Sequence, residues 1–324
     1  MLNSHTTPLL SIVVPCYNEE EVLKETFTQL SSILKKMIIE KKVSDKSFIL
    51  FVDDGSHDKT WKIIENEASN SSTIQGLKLS RNVGHQNALV AGMQYVTDTC
   101  DALISIDADL QDDVNAIFIM VDEFLKGNDI VYGVRSKRDK DTLFKKFSAE
   151  TFYTVMKLMG VNLIFNHADY RLLSKKALNN LNAFPESNLF LRGIIPTIGL
   201  PHSIVYYERD ERFAGESKYP LRKMLSFAWD GVTSFSSTPL RFISILGFLI
   251  SLLSISMSVY IFYIAIFTDK ALPGWASTVL PIYFIGGIQI LSIGVAGEYI
   301  GKIYKETKRR PLYFIEEATE HAKS

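Results

Sequence analysis

Four carboxylates crowd one nonapeptide, Ser105-Ile106-Asp107-Ala108-Asp109-Leu110-Gln111-Asp112-Asp113, directly after the apolar run Ala102-Leu103-Ile104. A short β-forming run that empties into carboxylates sets them at the C-terminal tip of a strand, where an open α/β sheet has its ligand crevice. Asp107 and Asp109, two residues apart, can share one hard divalent cation, with Gln111 as a further oxygen donor. Mg²⁺ or Mn²⁺ on one or two carboxylates, its shell completed by diphosphate oxygens, is the chemistry such a pair serves. The same residues also suit an acidic turn, with Asp112 or Asp113 the expected N-cap of a helix over residues 114–125.

Other polar groups follow other apolar runs. Pro15, Tyr17, Asn18 and Glu19 come after Leu9 to Val14, Asp53-Asp54-Gly55-Ser56 after Ser47 to Val52, and Arg81-Asn82 after Ile74 to Ser80. No Gly-x-Gly-x-x-Gly follows the first run and no Gly-x-x-x-x-Gly-Lys-Ser/Thr occurs, so a dinucleotide fingerprint and a phosphate-cradling P-loop are both missing. A carboxylate-built site must instead take a diphosphate through a metal, and base and ribose through side-chain acceptors. Asp54 is the candidate for base or ribose with Asp53 beside it, although the tetrapeptide is equally an Asx-turn and helix cap.

The elements that position these groups read as strands alternating with helices. Strands are expected at residues 9–15, 47–52, 74–79, 102–104 and 130–134. Helices are expected from Asn18 to about Lys36, from about Thr60, over 88–96 and over 114–125. Alternation of this kind means βαβ units with right-handed crossovers and a doubly wound, mostly parallel α/β sheet. The chain has 324 residues, room for one large domain or two smaller ones, and a net charge of −1, which gives no reason to expect a nucleic-acid partner. Cys16 and Cys100 fit no metal-ligand spacing and no disulfide framework. Residues 1–8 lack the apolar core of a cleavable signal peptide.

Four motifs in one order carry a family resemblance: Val13-Val14-Pro15-Cys16-Tyr17-Asn18-Glu19-Glu20, Val52-Asp53-Asp54-Gly55-Ser56, Ser80-Arg81-Asn82-Val83-Gly84-His85 and Asp107-Ala108-Asp109-Leu110-Gln111-Asp112. Together they resemble the family-2 inverting glycosyltransferases of the GT-A fold. More narrowly they resemble the polyprenyl-phosphate glycosyltransferases, the group that includes bacterial bactoprenol (undecaprenyl-phosphate) glucosyltransferases and dolichol-phosphate mannose synthase. The resemblance implies a nucleotide sugar on Pro15, Tyr17, Asn18, Glu19, Asp53, Asp54, Arg81, Asn82, Asp107 and Ala108, and Mg²⁺ or Mn²⁺ on Asp107, Asp109 and Gln111. Asn166-His167-Ala168-Asp169-Tyr170-Arg171-Leu172 stands where the family usually has Gly-Asp-Phe-Arg-Leu, with Ala168 and Tyr170 as mild departures. Asp109, Asp169 and Arg171 are the expected catalytic residues, Asp169 either as base or as an acceptor-site carboxylate. Glu211-Arg212-Phe213-Ala214-Gly215-Glu216-Ser217-Lys218 matches the family's Arg-x-x-Gly-x-Ser/Thr-Lys loop. Arg135, Arg171, Arg212 and Lys218 are the expected grips on a lipid phosphate, since guanidinium forks suit phosphate oxygens. Lys137 and Arg138 belong to the same cationic stretch, and Lys137 reads as solvated charge.

Residues 242–267 and 272–297 each run 26 positions without a charge, the second broken by Pro273, Pro281 and glycines. As helices each would be about 39 Å long, more than the ~30 Å hydrocarbon core of a bilayer. Arg222, Lys223 and Arg241 precede the pair, and Lys302, Lys305, Lys308, Arg309 and Arg310 follow it, so both ends are expected on the cytoplasmic side of a bacterial inner membrane. Leu221, Met224, Leu225, Ala228, Trp229 and Val232 recur at helical spacing, as in an amphipathic helix lying in the headgroup layer. The expected organisation is a glycosyltransferase domain over 1–215, that interfacial helix within 216–240, a two-helix hairpin over 241–300 and a tail over 301–324. Glucose from a UDP-sugar donor leads the possible cargoes by resemblance, which also implies a homotetramer. A scaffold with a decayed glycosyltransferase fold is one competing class; the other, a processive polysaccharide synthase of the same fold, would resemble chains with a Gln-x-x-Arg-Trp motif, which this sequence lacks.

Overall fold

A computed structural model of the chain describes residues 7–136, 167–186, 190–208, 238–267 and 275–319. Two compact units are distinguished, one containing every strand and the other the two long helices.

The first unit is built on an eight-stranded sheet, with β1 (Leu10–Cys16), β2 (Phe48–Asp53), β3 (Ile74–Leu79), β4 (Ala102–Ser105), β5 (Ile130–Arg135), β6 (His167–Ser174), β7 (His202–Tyr207) and β8 (Ile315–Ala318) in the order β7-β5-β6-β4-β1-β2-β3-β8. Its centre is parallel: β1 pairs with β2 and β4, and β2 with β3. Every residue of β1, β2 and β4 is buried, the pattern of strands covered on both faces, which is why these runs show no alternation. Among the described residues this unit also holds helices α1 (Leu23–Ile39), α2 (Thr60–Asn70), α3 (His85–Val96), α4 (Ala116–Leu125), α5 (Lys175–Asn182) and α6 (Leu191–Thr197). Packing is close enough that a Cβ on Gly92 of α3 would fall 2.5 Å from Val13 Cγ1. Phe27 and Phe51 meet edge to face, 4.6 Å between centroids, under α1.

The sheet is mixed: four of its seven strand pairings are parallel, the majority expected, and three are antiparallel. β6 lies antiparallel between β4 and β5, so β4 and β5 never pair, and β8 closes the far edge antiparallel to β3. The cause is position along the chain. β6 returns from a segment of about thirty residues outside the described set, and a strand supplied from there need not follow the βαβ hand. The stretch holding Asp169 and Arg171, expected only as a motif, is this strand, and Arg171 stands level with Ser105 of β4 and Tyr132 of β5.

Helix starts shift too. α1 begins at Leu23 and not at Asn18, because Asn18 takes a left-handed conformation (φ 54°) and its side chain serves the next loop. α4 begins at Ala116 with no side-chain cap: Asp113 accepts from the Asn115 N–H, while Asp112 is turned inward. The C-terminal segment, expected as a tail, carries β8. Thr319 brackets Gly76 there, its N–H donating to the Gly76 carbonyl and its hydroxyl accepting from the Gly76 N–H at 2.8 Å.

The second unit holds α7 (Thr238–Phe267, 30 residues) and α8 (Trp275–Lys308, 34 residues), so helices do occur over both charge-free runs. Counted over the described residues, no helix is long and apolar enough to cross a membrane. Spanning therefore rests on the sequence runs. Residues 221–232, expected as an amphipathic helix, lie outside the described residues.

Candidate active site

Three loops at the C-terminal ends of β1, β2 and β3 interlock. The Asn18 N–H donates to Ser56 Oγ at 3.0 Å, and Asn18 Oδ1 accepts from the His57 N–H at 2.9 Å. The Glu19 N–H donates to Thr60 Oγ1 at 2.9 Å, and the Asp54 N–H to the Cys16 carbonyl. Gly55 has φ +64°, and a Cβ there would sit 2.5 Å from the Arg81 carbonyl carbon, so only glycine lets these two loops touch. Asp54 is 2% exposed and its two oxygens accept from the Val83 and Gly84 N–H groups at 2.7 and 3.0 Å. Burial raises its pKa against those two bonds. Asp54 thus shapes the Arg81–Gly84 turn. Asp53, fully buried, accepts weakly from the Ser56 N–H at 3.4 Å, and its Oδ1 meets no partner among the described residues. Tyr17 is 41% exposed above this floor, its ring 6.4 Å from that of His57. The Arg81 guanidinium reaches the Asn82 carbonyl.

The β4 tip carries the acids. Asp107 lies where the strand ends, Ala108 is buried with its carbonyl 2.9 Å from the Thr26 hydroxyl, and Leu110 takes a left-handed conformation (φ 54°). Asp109 Oδ1 accepts from the Gln111 N–H at 3.3 Å. The Asp107 carboxyl is pushed up to about 6, first by burial and then by Asp169, Asp112 and Asp109, with His85 opposing. Hard oxygen donors short of positive charge are what a divalent cation satisfies, so Asp107, Asp109 and Gln111 fit Mg²⁺ or Mn²⁺. Among the described residues no group of three or more His, Cys, Asp or Glu side chains gathers as a metal cage. Two carboxylates would leave the remaining positions to Gln111, diphosphate and water.

Beside this tip stands Asp169 on β6. Its backbone carbonyl accepts from the Ser105 hydroxyl, and its carboxylate is flanked by two guanidiniums. Arg171 Nη2 donates to Oδ1, and Arg192 of α6 donates through Nε to Oδ1 at 3.3 Å and through Nη2 to Oδ2 at 3.0 Å. Burial alone would lift the Asp169 pKa, but Arg192 and Arg171 outweigh it and hold the carboxyl well below the usual range. A carboxylate so held is a poor proton acceptor, so the geometry favours orientation over the base role. His85, first residue of α3, places Nε2 3.4 Å from Asp107 Oδ1 and 3.9 Å from Asp169 Oδ2, bridging the acidic tip to the ion-pair cluster.

Arg135 is tied elsewhere. Its Nε and Nη2 donate to Asp112 Oδ1 at 3.3 and 3.1 Å, and the Tyr207 hydroxyl donates to the same oxygen at 2.7 Å. Arg171 is fully buried. Both guanidiniums expected to grip a lipid phosphate are engaged with carboxylates, Arg135 with Asp112 and Arg171 with Asp169. Lys137, Arg138, Arg212 and Lys218 lie outside the described residues. His85 and Arg192 had no role assigned from sequence. His85 sits inside a quoted motif, whereas Arg192, in Leu191-Arg192-Gly193, carries no local signal.

The sequence profile of Glycosyl transferase family 2 matches residues 11–181, just over half the chain and β1 to β6 but for Leu10. The chain belongs to that family. As a family-2 glycosyltransferase it is 50% identical over 313 residues to the uncharacterized glycosyltransferase YkoT of Bacillus subtilis, covering 95% of this chain and 91% of the relative. It is 37% identical over 309 residues to the prophage bactoprenol glucosyl transferase homolog of Escherichia coli, covering 94% and 98%. The bactoprenol glucosyl transferase of Shigella phage SfX matches at the same identity and the same coverages. These matches run well past residue 181, so the likeness extends beyond the family-2 core.

Proposed function

We propose that this glycosyltransferase moves a sugar, glucose first among the candidates, from a UDP-sugar to undecaprenyl phosphate at the cytoplasmic face of a bacterial inner membrane. The observation that carries the reading is the juxtaposition of an acidic strand tip with a guanidinium-flanked carboxylate, bridged by His85. Donor diphosphate and acceptor phosphate are both anions. One needs a cation held by carboxylates and the other needs guanidinium. The names of the bactoprenol glucosyl transferase relatives support the acceptor and the sugar.

On this reading the interlocked loops after β1, β2 and β3 hold the nucleoside, with Tyr17 against it and Asn18, Glu19, Arg81 and Asn82 around it. Asp53, with an oxygen unpartnered among the described residues, is the better placed acceptor for a base N–H, and Asp54 supports it from behind. Asp107, Asp109 and Gln111 hold Mg²⁺ or Mn²⁺, which when bound neutralises diphosphate charge and eases departure of the nucleoside diphosphate. An acceptor phosphate monoester has its second pKa near about 6 and is mostly ionised at neutral pH, so it needs positioning more than deprotonation. Direct attack on the sugar C1 inverts the anomeric centre, and Asp169 orients the cations that flank it.

The membrane part of the proposal is supported by exposure. Phe242, Phe248 and Leu253 on α7 and Ile290 and Ile293 on α8 are 64–73% exposed, an apolar surface that water penalises and lipid does not. A hairpin of two spans, both ends cytoplasmic, and a homotetramer complete the picture. The test is a panel of UDP- and GDP-linked radiolabelled sugars offered with undecaprenyl phosphate to the purified full chain. Label extracted with the lipid from UDP-glucose is the expected result. Label from another donor changes the sugar, and label from none moves the scaffold reading to the front.

A further inference from the structure

Three cations surround the carboxylates where the two substrates would meet, and they differ in access. Arg171 is fully buried, its guanidinium on Asp169 between β4 and β5. Arg135 is bound to Asp112 and Tyr207, its side chain 19% exposed. Arg192 is 35% exposed while it holds Asp169 by Nε and Nη2. Its helix is fixed to the donor side, since the Leu191 N–H donates to Gln86 Oε1 at 3.4 Å, next in sequence to His85. Of these three, Arg192 is therefore the guanidinium that a solvent-borne anion reaches most readily among the described residues.

Resting on the function proposed above, we infer that Arg192 is the residue that seats the acceptor's phosphate, and that Asp169 and Arg171 are positioning residues that aim it. A guanidinium fork already braced on one carboxylate loses little freedom when it takes up a phosphate. The dianion would share Arg192 with Asp169, beside His85 and the Asp107 tip, which places the nucleophilic oxygen on the same side of β4 as the donor diphosphate. Arg171, at full burial, keeps Asp169 charged and pointed. Of the four residues that the sequence assigned to the lipid phosphate, Arg135 and Arg171 become internal and Arg212 and Lys218 lie outside the described residues, and the contact inferred here falls to a residue on α6.

The test is two-substrate kinetics on the full chain in detergent, varying a short isoprenyl phosphate at saturating donor and the reverse, for wild type, Arg192→Ala and Arg192→Lys. Loss of a charge-assisted pair should raise the acceptor KM of Arg192→Ala roughly tenfold to a hundredfold while the donor KM stays within about twofold. Arg192→Lys, which keeps the charge and loses the fork, should fall between. Should Arg192→Ala fail to fold, the lysine variant carries the test on the same criterion. An unchanged acceptor KM, or acceptor and donor KM rising together with a lower melting temperature in both variants, overturns the inference. Wild type silent with every donor overturns the proposed function itself, a result distinct from an active wild type with an indifferent Arg192.

Discussion

The two flanks of β1 hold their loops by different means. On the β2–β3 side the contacts are backbone N–H groups donating into side-chain oxygens: Asn18 to Ser56, His57 to Asn18, Glu19 to Thr60, Val83 and Gly84 to Asp54. On the β4–β6–β5–β7 side the contacts are ionic, Asp169 with Arg171 and Arg192 and Asp112 with Arg135, and His85 Nε2 lies 3.4 Å from Asp107 Oδ1. The first flank has fixed its shape before anything binds, as a pocket for one rigid ligand should. The second is a balance of charges that an incoming anion or cation will redistribute. A transferase that must receive two anions in sequence needs both kinds of surface.

Breaking the acidic tip should give the largest effect. Asp107→Ala is expected to lower transfer about a thousandfold, some 4 kcal/mol of transition-state stabilisation. Its melting temperature in chelator should not fall, because the deleted carboxylate is crowded by burial and by Asp169, Asp112 and Asp109. Asp112→Ala should show the opposite signature. It strands a guanidinium and a hydroxyl in the interior, at a cost of about 3–5 kcal/mol, read as a fall in melting temperature on the order of 10 °C. Asp112→Asn should recover much of it.

Gly55→Ala probes the neutral flank. With φ at +64° and the Arg81 backbone 2.5 Å from the new Cβ, the loops must part, at about 1–3 kcal/mol. UDP affinity by calorimetry should drop about tenfold with the acceptor KM spared. Thr319→Val, at the β3–β8 edge far along the sheet from the acids, removes the acceptor for the Gly76 N–H. The expected loss is about 1 kcal/mol of stability with transfer intact. A donor defect in Arg192→Ala with normal acceptor handling would erase the distinction.

The neutral flank was the more legible in sequence. Continuous apolar runs ending in Pro15 and Asp53 announced β1 and β2 within a residue or two, because central parallel strands are buried on both faces and need no alternation. The uses of Asn18 and Asp54 were not legible. Asn18 is equally a helix cap or a left-handed turn, and only the neighbouring loop decides. The charged flank hid more. β6 is apolar only in part and arrives from a distant segment, so its antiparallel insertion could not be read from βαβ alternation. Arg192 is one arginine in a short helix, and its meaning lies in Asp169, 23 positions away. β8 pairs with a strand more than 230 residues earlier, and no local pattern carries such a contact.

The most direct test of the account is equilibrium binding of UDP to the full chain with no lipid acceptor present, titrated in Mg²⁺, in Mn²⁺ and in chelator, for wild type and Asp107→Ala. The account predicts binding by wild type that requires the metal and is lost in the variant, since the neutral flank is preformed and the acidic tip supplies the rest. Binding of equal strength in chelator, or no binding under any condition, would contradict it.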